Sequence, residues 1–324
     1  MATYENLHGR RVNVVSSNPS NPKEGEVWYN STLGLLKGYV LSPASVASGG
    51  NMTLARGQLG GCGASQNAGL VFGGEAPSVP SITAKTEEYD GTSWSKGGDA
   101  PTGKSDMVSV GTQTAALWGG GSPTSSASYL YNGTAWTGTG AMPFSNRDVY
   151  SGGAGTSTAG LSIGGFISPG NYSAVMCEFD GSSWTNIPQT FPSAPKTNTF
   201  STAGIQTACI SAGPGTDSLE WNGSSWTSTN ALATPSTSAV HTGTVSGSVL
   251  IGGGPGQQTH IQTWDGTNWS NSPLSISTGR SQAAEAGIAT SSIIAGGADG
   301  SPTSSNATEE FNGAVVATKT LTTG

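Results

Sequence analysis

Short apolar runs closed by small residues punctuate this chain: GLVFGG ending at Gly74, AALWGG at Gly120, GLSIGG at Gly165, ACISAG at Gly213, SVLIGG at Gly253 and SIIAGG at Gly297. Runs this short, bounded by glycine, read as buried strands rather than helix faces. Further along each period an aromatic precedes Asp-Gly or Asn-Gly, and a Trp opens the next segment. The copies are EYDGTSW to Trp94, YLYNGTAW to Trp136, EFDGSSW to Trp184, EWNGSSW to Trp226 and TWDGTNW to Trp269; a sixth, EFNGAVV, has Val316 in place of the Trp. Asp-Gly and Asn-Gly supply the positive φ that tight hairpins need, so each phrase joins two strands. Upstream of each apolar run lies a stretch of small residues, such as RGQLGGCGASQ or GRSQAAEAGIAT.

The glycines of the turns, Gly91, Gly133, Gly181, Gly223, Gly266 and Gly313, are spaced by 42, 48, 42, 43 and 47 residues. A period of forty-odd residues is the length of one four-stranded propeller blade. One period reads as a small polar strand, a strand ending in Gly-Gly, a strand ending in the aromatic, and a strand opening on Trp. Small residues suit the crowded inner end of a blade, and the aromatic and Trp fill the space between blades. The repeated Gly73-Gly74, Tyr89 and Trp94 with their equivalents resemble the kelch-type β-propellers. The expected fold is all-β, a six-bladed kelch-like β-propeller over residues 51–324. Two repeats depart from the pattern: Ser211-Ala212-Gly213 stands where others have Gly-Gly, and Val316 replaces the Trp. A worn terminal repeat predicts that the ring closes between the last blade and the first, with an N-terminal strand covering the last outer edge.

Residues 1–50 do not follow the period. NPKEGEVWYNSTLGLLKGYVL contains Pro-x-x-Gly, a strand Val27-Trp28-Tyr29, a polar turn, and a strand from Leu35 to Leu41, which together predict a separate β-hairpin; SPASVASGG after it reads as a linker. From Pro22 to Val40 this hairpin resembles a short module of bacteriophage tail and fibre proteins. The resemblance implies an attachment module, with Trp28, Tyr29, Leu35, Leu36 and Tyr39 as its contact residues. The alternative is that residues 1–50 only cap the propeller.

Composition narrows the function. The net charge is −7 with 10% charged residues, and no basic run exists, which argues against a nucleic-acid partner. No stretch approaches eighteen apolar residues, so no membrane insertion is expected. Fifty glycines disfavour helices. Cys62, Cys177 and Cys209 form no C-x-x-C pair and read as buried free thiols. The histidines are His8, His241 and His260, too few for a copper or zinc site, and the Asp-Gly turns are not sialidase boxes. No catalytic set, metal or cofactor is therefore expected.

One pattern remains. Just before the small strand, five of six repeats place a cation, Arg56, Lys104, Arg147, Lys196 and Arg280, and the fifth repeat has Ser236. Two readings stand: a basic rim that binds an anionic glycan or a partner's carboxylates, or side chains that reach the neighbouring blade and bond its carbonyls or a carboxylate. Taken together, the expectation is a non-enzymatic virion structural protein, on the tail rather than the capsid, with several copies per particle. Its expected partners are other virion proteins and a host-surface glycan. Capsid decoration and a free glycan-binding adhesin are the alternatives.

Overall fold

The computed structural model describes residues 12–77, 81–147, 153–167, 171–192, 200–300 and 304–321. Among these every regular element is a β-strand. They form two compact units, Val46–Asn312 and a smaller one of Met1–Ser45 with Gly313–Gly324. The larger unit thus begins just before the expected boundary, and the chain's last strand belongs to the smaller one.

The larger unit is a set of antiparallel sheets, most of four strands, as in a β-propeller. In the first, Gly60–Ser65, Ala68–Phe72, Thr86–Tyr89 and Trp94–Lys96 pair in chain order. The inner strands of the following sheets are Val108–Thr112, Gly153–Thr156, Ser201–Ile205, Val240–Thr244 and Ala284–Ile288. Each packs against the next, and Ala284–Ile288 packs against Gly60–Ser65, so the inner strands encircle an axis. Buried apolar clusters fill the gaps between successive sheets; Tyr89, Trp94, Val71 and Ile293 meet in the gap between the last sheet and the first.

Glycine is required beside the axis. Gly111, Gly155, Gly204, Gly243 and Gly287 have φ from +114° to +132°, and a Cβ on Gly111 would lie 2.3 Å from the carbonyl oxygen of Ala115. The turns after the aromatic work differently from the sequence reading. Only the Gly takes positive φ; the preceding Asp or Asn is there for its side chain. Asp90 Oδ1 accepts the backbone N–H groups of Thr92 and Ser93, both at 2.8 Å, and Asn132, Asp180, Asn222 and Asp265 repeat the arrangement. This is an Asx turn, in which the side chain imitates a backbone acceptor.

The Trp residues tie each sheet to the one before. Trp136 Nε1 donates to Thr86 Oγ1 at 3.0 Å, Trp184 to Ser128 Oγ at 2.9 Å, and Trp269 to Ser218 Oγ at 3.0 Å. Trp226 points its N–H at Met176 Sδ, 3.2 Å away. Trp94 donates to Thr308 Oγ1 at 2.9 Å, so the first sheet is bonded to the last. The last sheet contains Ala284–Ile288, Ser291–Ala295 and Thr308–Asn312, and its outer strand is Ser45–Ser48. The N-terminal strand expected on that edge is therefore present, inside the segment read as a linker. Hydrophobic Val46 packs there against the apolar cluster of Ile251, Ile261, Ile294 and Phe311.

In the smaller unit Asn13–Val15 pairs parallel with Val27–Asn30, which pairs antiparallel with Leu35–Ser42, and Leu35–Ser42 pairs with Val315–Thr320. Val316 is thus not a failed blade Trp. It lies opposite Leu41 in this second sheet, where no inter-blade N–H is called for.

Candidate functional site

Two of the cation positions, Arg56 and Arg280, face inward and not onto a rim. Arg56 is fully buried: its Nη2 donates to Glu87 Oε1 at 2.8 Å, and its Nη1 donates to the carbonyls of Gly73 and Lys85 at 2.9 and 2.7 Å. Arg280 repeats this, with Nη2 on Glu309 Oε1 and Nη1 on the carbonyl of Ala307 at 2.7 Å. Burial pulls both guanidinium groups below their ordinary pKa, and the paired carboxylates pull them back. The binding role expected of Arg56 and Arg280 is therefore corrected: a side chain closed off by carbonyls and a carboxylate cannot reach a partner. Glu87 and Glu309 each accept a further backbone N–H, from Thr53 and Ser277.

The fifth repeat shows the same logic without charge. Ser236 replaces the Arg, and Gln262 stands where the others have Glu87 and Glu309; its amide bonds both the N–H and the carbonyl of Thr234 at 2.9 Å. Lys104 is half-buried and its ammonium donates to the carbonyl of Pro123, which matches the carbonyl-bonding alternative. Arg147 lies in the short strand Asn146–Arg147, and Lys196 lies outside the described residues.

Of the residues expected to attach, Trp28 is fully buried, and its Nε1 donates to Asn18 Oδ1 at 3.2 Å. It is a core residue and not a contact residue. Asn30 donates to the same oxygen and accepts the N–H of Leu33, fixing the turn. Leu36 and Tyr39 are half-buried, whereas Tyr29 and Leu35 are exposed. Val12, Val14, Leu33, Leu41 and Val315 are exposed too. Seven of the ten large exposed hydrophobic residues described thus belong to the smaller unit. Sequence reading missed Val14, Leu41 and Val315, because exposure depends on which sheet face has a neighbour.

On the axis of the larger unit is a cavity of about 140 Å3 walled by the inner strands. His241 lies in that wall, but its ring turns aside: Nδ1 is 3.0 Å from the carbonyl oxygen of Ser201 and Nε2 is 2.9 Å from Ser248 Oγ. Burial lowers its pKa to about 4, so the ring is neutral at ordinary pH. Burial also raises the Cys62, Cys177 and Cys209 thiols, which are free and buried as expected. Among the described residues no three His, Cys, Asp or Glu side chains stand together as metal ligands would.

No family model matches the chain, and no curated protein matches it. Among solved structures it is similar to that of YjhT, with a TM-score of 0.61 at 12% identity, over 83% of this chain and 99% of the other. At that identity the likeness is one of fold, and it agrees with a propeller of four-stranded sheets.

Proposed function

We propose that the chain is a non-enzymatic display protein of a bacteriophage virion, associated with the tail. In this reading the smaller unit docks on other virion proteins, and a six-bladed kelch-like propeller is presented by it in several copies. The observation that carries the reading is the uneven apolar surface. Among the described residues the smaller unit holds most of the exposed large hydrophobic side chains, whereas Arg56 and Arg280 of the larger unit are closed into internal pairs. Exposed Tyr29 lies opposite exposed Val14 in the sheet, and apolar side chains gathered on a surface mark a protein contact more often than a solvent face. The Pro22 to Val40 resemblance supplies the kind of particle, and the low charge supports a durable exterior protein rather than a nucleic-acid binder.

The test is gold-antibody electron microscopy of purified particles with antibody against residues 51–324. Label on the tail or its fibres is the expected result. Label over the head would replace this reading with capsid decoration, and unlabelled particles would overturn it. A Tyr29→Glu, Leu41→Glu double variant that still assembles at the wild-type level would reject the smaller unit as the docking element.

A further inference from the structure

The axial cavity is walled by one short stretch from each inner strand, ending at Gly63, Gly111, Gly155, Gly204, Gly243 and Gly287. Small neutral residues make most of that wall. Glu285 is the one carboxylate among its lining residues, and no Lys or Arg lines it. Glu285 Oε2 accepts the backbone N–H of His241 from the neighbouring strand at 3.2 Å, yet the side chain keeps accessible surface beside the cavity. Next to His241, Thr242 is 5% exposed and lines the same cavity, and its Oγ1 has no hydrogen-bond partner among the described residues.

The repeat sets these two side chains against each other. Val110 and Gly153 hold the corresponding positions three gaps earlier, and there a Cβ on Gly153 would lie 3.1 Å from Val110 Cγ1. Where that gap has an isopropyl group and no side chain, this one has a hydroxyl and a carboxyl. We infer that the cavity is a binding site for one small cation, an ammonium or a metal ion, with the Glu285 carboxylate as counter-charge and the Thr242 hydroxyl as a second oxygen ligand. A half-buried carboxylate with no Lys or Arg lining the same cavity attracts a cation more strongly than one at an open surface.

Three titratable groups meet here. His241 stays neutral above about pH 4, and burial together with Glu285 keeps the Cys62 thiol protonated.

The full chain is titrated calorimetrically with ammonium, sodium, potassium, magnesium or calcium chloride at constant ionic strength in choline chloride, from pH 6 to 8. The expected result is saturable binding of one cation type. The arms distinguish ammonium from a metal. Glu285→Gln should abolish binding and Thr242→Val should weaken it several-fold; the second variant serves if the first does not fold. No saturable binding by any of the five, or unchanged binding in both variants, would overturn the inference.

Discussion

At the residue scale the six repeats form an internal experiment, because each inter-sheet position can be compared with its five copies. A Trp N–H arrives at Thr86, Ser128, Ser218 and Thr308, each a hydroxyl, and at Met176, a sulfur. In the one remaining copy the position is Ile261, fully buried, and there Val46 of the covering strand packs against its cluster and brings no N–H. A buried polar atom costs stability unless it is bonded, which explains an acceptor in five copies and a hydrocarbon in the sixth. Trp136→Phe should therefore destabilise by about 1–3 kcal/mol in denaturant unfolding, and Ile261→Thr by a similar amount through an orphaned hydroxyl. The paired charges follow the same rule: Arg56→Ala should cost about 3–5 kcal/mol by leaving Glu87 buried and unpaired. An Arg56→Met, Glu87→Leu double variant should regain most of that; if it is no more stable than Arg56→Ala, the pair is not what holds the loop.

At the element scale, closure rests on the strand Ser45–Ser48, which covers the edge of Thr308–Asn312. A chain of residues 49–313 should melt at lower temperature than one of residues 45–313 and should associate through the uncovered edge on size-exclusion chromatography. Equal melting and equal elution would show that the strand is dispensable. The inner-strand glycines give a sharper local test: Gly111→Ala drives a Cβ into the Ala115 carbonyl at a positive φ, and the strand must shift to admit it. Much of this was legible in the chain. The Gly-Gly ends, the aromatic and the Trp mark three strands of each period, because turn chemistry and burial are local. The role of SPASVASGG was not, since a four-residue strand of Ser, Val, Ala and Ser has no signal apart from the edge it covers.

At the scale of the whole molecule, stability should depend on pH through two axial groups. Glu285 is raised to about 8 from 4.5, so the folded chain keeps a proton that the unfolded chain releases, and stability falls as pH rises through that window. His241 is lowered to about 4 from 6.5, so the unfolded chain takes the extra proton, and stability falls as pH drops through its window. Between pH 4.5 and 6.5 the two oppose each other, and between about 6.5 and 8 the Glu285 slope stands alone, at most about 1.4 kcal/mol per pH unit. In choline chloride Glu285→Gln should flatten this upper limb. A wild-type chain equally stable at pH 6.5 and 8 would contradict the assignment.

The amino-acid sequence by itself determined the repeat, its strands and its turns, because periodicity, Asx chemistry and glycine depend on residues close in the chain. Only the tertiary structure decided that Arg56 and Arg280 face inward and that Val315–Thr320 pairs with Leu35–Ser42. It also decided that Glu285 and Thr242 share one cavity. The direction of a long side chain, the partner of an edge strand and the contents of an axial bore are set by residues tens or hundreds of positions away. No local pattern carries that information.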